Sequence, residues 1–346
     1  MINILYTLLE KFMGNLYSIL LTCLILIFSS SAQAKTKYSF KIASLAPQGS
    51  VWINHFRDFA KEVEEKSNGE VGIKIYPGGV MGDDLAMYRK MRVGQLHGGG
   101  FTMSGIANVV PDFRVMAIPF FFDNYMEVDV VSRQLTPYFK EKFDENGLEL
   151  LYLTEVGFIY GMSTAPTLTI GELKKRKSWV PTGDPLAAEY LKLLGVNPVP
   201  LTIPDVLSSL QTGLVDTVYT SLYGSLVMQW FTKAAYITDF PYGYAYGAIA
   251  FSKKAFSKLP PQYAALIHKL AEKHFSALNK KTRQSNKESR DVLMENGVAF
   301  IEASAEVRNQ LVENRDITVT KLVGESFSQE AYKRVTQILE KMRATP

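Results

Sequence analysis

Over residues 173–221 (LKKRKSWVPTGDPLAAEYLKLLGVNPVPLTIPDVLSSLQTGLVDTVYTS) the hydrophobic pattern switches between a strand period and a helix period. Residues 178–181 are β-compatible and close in a turn at Thr182-Gly183-Asp184. Asp184 is placed to cap a helix whose first position is Pro185. Ala187, Ala188, Tyr190, Leu191 and Leu194 then form one apolar face, and Gly195 ends it. Residues 197–201 are extended but broken by Pro198 and Pro200, which predicts an edge strand. A second helix begins at Thr202 or Asp205 and stops at Gly213, and residues 215–220 return as a strand. Two such βα units predict a parallel sheet, with ligands at the carboxyl ends of its strands. Those ends are Trp179 to Asp184 and Tyr219 to Ser221.

The same reading extends along the chain. Residues 38–44 alternate as a strand, and Ser50 caps a helix over 51–67 with Ile53, Phe56, Phe59, Ala60 and Val63 on its apolar face. Trp52 lies off that face, and either the cleft or a surface packing site would accommodate it. Residues 71–76 form a second strand, 84–93 a helix and 95–103 a strand opened by Gly98-Gly99-Gly100. Those glycines precede the strand end and no Lys-Ser/Thr follows, so close strand packing explains them better than a phosphate loop does. Met103 and Ser104 close that strand as candidate cleft residues. Of the rings Phe120, Phe121 and Phe122, at least two are expected in the core. Strands at 148–154 and 158–163 flank Gly157 and predict a hinge, with Phe158 and Tyr160 as candidate ligand contacts read as alternating in direction, so that only one faces the ligand. Gly243 and Gly247, in a tyrosine-rich run, mark a second crossing of the chain between domains. From Pro260 to Asn296 no glycine and no proline after Pro261 interrupts the pattern. One helix of roughly 50 Å follows at 1.5 Å per residue, too long for one small domain to bury. Leu266, Ile267 and Leu270 in one half and Val292 and Leu293 in the other predict partners in both domains. Strands at 235–240 and 298–303 and helices around 305–313 and 329–342 finish the chain.

Composition changes this picture mainly at the start. An apolar run ending at Phe28 is followed by three serines and Ala32-Gln33-Ala34, the form of a cleaved secretory signal over residues 1–34. The run is short of the ~20 apolar residues a membrane span needs. Either Met1 or Met13 could start it. Cys23, the single cysteine, falls inside the signal, so thiol catalysis and cysteine-ligated zinc are excluded from the mature chain. The remaining ~310 residues suit two domains. With 38 basic and 34 acidic side chains, the net charge of +4 is too balanced to imply nucleic acid. His268 and His274 are six apart, off any shared metal-binding face. No nucleophile motif, His/carboxylate pair or metal constellation supports an enzyme, and no cofactor is called for.

Several segments together resemble the solute-binding proteins of tripartite ATP-independent periplasmic (TRAP) transporters, the dicarboxylate-type DctP family. They are Tyr76-Pro77-Gly78-Gly79, Met81-Gly82, Ile118-Pro119-Phe120-Phe121-Phe122, Val180-Pro181, Pro198-Val199-Pro200-Leu201 and Leu210-Gln211-Thr212-Gly213 with Val215-Asp216. The resemblance covers most of the chain beyond residue 36. It implies a two-lobed α/β periplasmic binding protein fold with mixed sheets, a hinge and a long helix spanning both lobes. Lobe I would comprise 36–157 plus 245–280, lobe II 158–244 plus 281–325, with a C-terminal helix in 326–346. It also implies a periplasmic, monomeric receptor that captures a small-molecule solute and delivers it to integral-membrane TRAP transporter subunits, with no nucleic acid involved. A ligand sensor on the same fold is the alternative, and a periplasmic enzyme the more distant one. The family pattern has an arginine before the Val-Pro that forks onto a substrate carboxylate; this chain has Trp179 there. Gly157-Phe158 is likewise followed by Ile159 and not by arginine. The expected ligand contacts are Trp52, Met103, Ser104, Phe158, Tyr160, Trp179, Asp184, Tyr219, Thr220 and Ser221. Trp179 is expected to turn its ring to the ligand, with Tyr219, Phe158 or Tyr160 completing an aromatic wall. Arg114 and Arg89 are the other bases that could restore an acid ligand.

Overall fold

The computed structural model describes Met13 and residues 36–344. The signal sequence and Cys23 otherwise lie outside the described residues. Among the described residues no helix is long and apolar enough to cross a membrane.

Ten strands form one mixed sheet: β1 (Tyr38–Ser44), β2 (Val71–Tyr76), β3 (Gly98–Thr102), β4 (Leu148–Ser163), β5 (Ser178–Pro181), β6 (Pro198–Leu201), β7 (Thr217–Thr220), β8 (Tyr236–Thr238), β9 (Gly243–Ser252) and β10 (Ala299–Ile301). Their order is β2-β1-β3-β9-β4-β7-β5-β6, with β8 pairing both β4 and β10. β1 runs parallel to β2 and β3, and β5 parallel to β6 and β7, so each end of the sheet is a parallel unit. The antiparallel pair β4 and β9 joins them. The proline-broken β6 lies at the sheet edge, where missing N–H donors cost no ladder bond. The triple glycine in β3 answers to packing. A Cβ on Gly98 would stand 2.8 Å from the Ala250 carbonyl, and one on Gly100 2.7 Å from the Phe56 ring.

β4 crosses from one end to the other beside β9. The sequence predicts two strands flanking Gly157, whereas the structure runs one strand through it, with register shifts between Leu150 and Tyr152 and between Glu155 and Gly157. The second shift is a bulge, which raises local twist and redirects the chain. Gly157 carries φ +113°, a conformation closed to other residues without strain.

The helix Pro261–Glu295 is continuous over 35 residues. Ile267, Leu270, Ala271, Phe275 and Leu278 pack in one apolar cluster with Phe40, Phe59 and Leu151. Leu293 packs in another with Met162 and Val218. Both halves therefore find partners, though Val292 does not help: it is 41% exposed. Between the two clusters the buried face becomes small and polar, with Thr282, Ser285, Asn286 and Ser289. That stretch grips β4 by hydrogen bonds. Asn279 Nδ2 donates to the Leu153 carbonyl (3.1 Å) and its Oδ1 accepts from the Glu155 N–H (3.0 Å). Asn286 Nδ2 donates to the Val156 carbonyl (2.9 Å), while its Oδ1 accepts from the Tyr223 N–H (3.0 Å).

Phe120, Phe121 and Phe122 are all buried. The helix Tyr125–Glu145 lies in a segment the pattern reading leaves unassigned. The helix expected around 305–313 continues to Leu322, its Leu311 and Leu322 entering different apolar clusters.

Candidate functional site

A cavity of about 240 Å³ lies where the two parallel units face each other. Its walls come from the carboxyl ends of β1, β3, β5 and β7 (Ser44, Thr102, Pro181, Thr220) and from the crossing strands β4 and β9. This is the position that parallel sheets favour for ligands. The two ends also meet beside it. A Cβ on Gly79 would lie 3.1 Å from the Pro204 ring, and one on Gly183 3.2 Å from the Asn108 amide.

Seven of the ten expected contacts line the cavity: Trp52, Met103, Ser104, Trp179, Asp184, Tyr219 and Thr220. Trp52 Nε1–H donates to the Glu155 carbonyl at 3.1 Å, so the cleft, not the surface, accommodates it. Met103 opens a one-turn helix instead of ending β3; the Thr102 hydroxyl caps that turn by accepting from the Gly105 N–H at 3.2 Å. Trp179 is both core and wall. Its Nε1–H donates to the Leu201 carbonyl (3.0 Å), and its ring meets Trp230 edge-on at 5.2 Å. Asp184 Oδ1 accepts from the Leu186 and Ala187 N–H groups, each at 3.1 Å, which caps the helix Pro185–Leu193. Burial raises its pKa, while those two N–H bonds and the nearby Arg114 hold it down.

Phe158, Tyr160 and Ser221 do not line this cavity. Alternation along β4 puts residues 158 and 160 on one face and Ile159 on the other, and it is Ile159 that lines the cavity. Phe158 stands behind the wall, its ring 5.0 Å from Tyr244. Tyr160 packs against the cluster of Met162 and Val218. Ser221 is fully buried and caps the next short helix, its Oγ accepting from the Gly224 N–H at 3.0 Å.

Four further wall residues escape the pattern reading. Tyr242, just before β9, and Tyr244 and Tyr246 on it sit two apart at the wall; Tyr242 packs in the cluster of Tyr190, and Tyr244 and Tyr246 in that of Phe122. The i, i+2, i+4 spacing was the available signal. Tyr242 links to Tyr219 at 5.2 Å and to Tyr190 at 5.3 Å. Burial pushes Tyr219 up to about 12 and Tyr242, Tyr244 and Tyr246 well above 10, so all four stay neutral near pH 7. The fourth is Glu155, a buried carboxylate at the hinge bulge. Arg283 of the long helix grips it with two bonds, Nε to Oε2 at 2.7 Å and Nη2 to Oε1 at 2.6 Å, and also reaches Asp129. Burial works against the Arg283 charge, but bonds to Glu155 and Asp129 carry its pKa above the ordinary range. Of the two bases proposed to reach in, Arg89 is exposed on its helix. Arg114 is buried outside the lining, its two Nη groups donating to the Ala107 and Ser326 carbonyls.

A smaller cavity beside the first holds Asp84, between the Thr102–Gly105 turn and residues 181–182 and 201–203. Its Oδ1 accepts from the Thr102 N–H at 3.1 Å. Burial raises its pKa from 3.8 to about 7, against the opposing pull of the Thr102 bonds. The native state thus holds a proton there that the unfolded chain loses near pH 3.8, and stability from this group falls as pH rises from about 4 to about 7. Asp84→Asn is expected to remove that slope, gaining up to ~4 kcal/mol at pH 8 relative to the parent and almost nothing at pH 4. Urea midpoints at the two pH values check it.

Residues 42–325 match the family described as bacterial extracellular solute-binding protein, family 7 (DctP). The chain belongs to that family. An uncharacterized protein of Haemophilus influenzae is 24% identical over 246 residues, 70% of this chain and 74% of that protein. The sialic acid-binding periplasmic protein SiaP of Vibrio cholerae is 27% identical over 204 residues, 57% of this chain and 61% of SiaP. The sugar acid-binding protein DctPAm of Advenella mimigardefordensis, solved with galactonate, superposes with a TM-score of 0.83 at 23% identity, covering 89% of this chain and 99% of that one. The family 7 protein described here thus has the two-lobed fold of TRAP periplasmic solute-binding proteins, and its function is that of an extracytoplasmic solute-binding receptor. Members of this family are binding proteins.

Proposed function

We propose that this receptor captures a small organic solute in the 240 Å³ cavity by closing its lobes about β4 and β9, and that it performs no chemistry on it. The observation that carries the reading is that one cavity draws its walls from both parallel units and from the strands connecting them. A ligand held this way contacts both lobes only when they are closed, so its binding energy favours the closed state. The lobe limits drawn from the sequence, 36–157 plus 245–280 and 158–244 plus 281–325, are part of this proposal. Seven lining residues, Trp52, Met103, Ser104, Trp179, Asp184, Tyr219 and Thr220, are its ligand contacts. The relatives named above are described with acidic sugars, sialic acid for SiaP and galactonate for DctPAm. The closed form, as a monomer in the periplasm, would dock on integral-membrane TRAP subunits.

The test uses two features of the chain. All three of its tryptophans, Trp52, Trp179 and Trp230, line the cavity, so ligand entry is expected to change their emission. The same saturating solute is expected to reduce the radius of gyration in solution scattering. Emission that responds while scattering stays identical would remove hinge closure from the account.

A further inference from the structure

The chemistry of the wall narrows the solute. Among the described residues lining the cavity there is no arginine, lysine or histidine. The wall holds two carboxyl groups, and the protein uses both. Glu155 is held by Arg283, whose Nε and both Nη groups are occupied by Glu155 and Asp129. Asp184 occupies the N-terminus of the helix Pro185–Leu193, so that positive dipole end is already filled by the protein's own side chain, and Ser50 caps the helix Val51–Lys66, which also begins at the wall. The indole donors of Trp52 and Trp179 are committed to the Glu155 and Leu201 carbonyls, leaving their ring surfaces to the cavity. Tyr219 and Tyr242, whose rings meet at 5.2 Å, add further ring surface, and Ser104, Thr154 and Thr220 bring hydroxyls.

A carboxylate entering this space would leave water without meeting a counter-charge, and burying an unpaired charge costs several kcal/mol even after relaxation. A cation would meet two carboxyl groups that are already compensated. An uncharged ring loses little hydration and gains contact with aromatic faces, which prefer offset or edge-on partners. The geometry points to an uncharged solute, a planar or largely apolar ring bearing one or two hydrogen-bonding groups. This inference rests on the receptor reading above.

Matched probes test it on the full secreted chain purified from its own periplasm. Benzamide, benzoate and benzylammonium share a ring and differ in charge; uracil and orotate differ by a carboxylate. Binding is read by tryptophan emission and calorimetry. The uncharged member of each set is expected to bind at least tenfold more tightly than its charged relatives. Thr220→Arg, which would bring a guanidinium to the wall, is expected to move the benzoate-to-benzamide affinity ratio at least tenfold toward benzoate. A parent protein that binds benzoate, benzylammonium or orotate as tightly as the uncharged member overturns the inference, as does an acid carried through purification and found by native mass spectrometry. If such a charged solute also contracts the protein in scattering, the receptor reading stands and only the ligand class fails. If no solute from either series or from the cell changes emission or scattering, both readings fall.

Discussion

Arg283→Ala is expected to destabilise this protein by about 3–5 kcal/mol, the range for removing one partner of a buried ion pair. Glu155 is 4% exposed, and its carboxylate takes both short bonds from Arg283. Without the guanidinium, that charge remains at the hinge bulge with no compensating group. The loss of Asp129 adds little, because its side chain is 55% exposed and water replaces the bond. The expected fall in Tm is on the order of 10 °C. One further reading separates this cause from lost packing. Glu155→Gln combined with Arg283→Met should recover more than half of the lost stability, because a neutral pair needs no counter-charge. A double variant no more stable than Arg283→Ala would mean that the pair is not the source.

Gly157→Ala should cost about 2–4 kcal/mol for a different reason. At φ +113° an alanine carries backbone strain of about 1–3 kcal/mol. Its Cβ would also stand 2.6 Å from Asn286 Nδ2, so the amide must move. Moving it stretches the bonds to the Val156 carbonyl and the Tyr223 N–H, each worth roughly 1 kcal/mol. Thermal unfolding in parallel with Gly213→Ala makes the comparison. Gly213 shares a positive φ of 72° but has open space around it, so its variant should lose only the strain. Equal losses in the two variants would show that the contact with Asn286 contributes nothing.

What could be read from the sequence was what local pattern determines. The prolines at 198 and 200 mark an edge strand because a missing donor matters at any position but the edge. The long helix is legible because nothing in residues 261–295 breaks it, and its apolar positions in both halves require two separate partners. Trp179, Asp184, Tyr219 and Thr220 line the cavity because they lie in or just beyond the short strands β5 and β7 near their carboxyl ends, a property of the βα unit itself. The misses arise where placement depends on the register between distant strands. Phe158 and Tyr160 are aromatic and close to the hinge, yet the bulge at Glu155/Gly157 decides which face they take, and Ile159 takes the cavity side. The tyrosines at 242, 244 and 246 carry strand spacing, but only the β4–β9 pairing shows that their segment passes through the cavity wall. Glu155 and Arg283 are 128 residues apart, and no local signal joins them.

The way the long helix holds the hinge also bears on what sequence drift can do. Asn279 and Asn286 bond to main-chain groups of Leu153, Glu155 and Val156, which any residue other than proline would supply. A substitution at 153 or 156 therefore leaves these bonds intact, whereas one at 279 or 286 breaks two at once. The anchor is thus insulated from change in the strand that it holds. New specificities can accumulate along the cavity wall on β4 and β9 while the hinge they depend on stays the same.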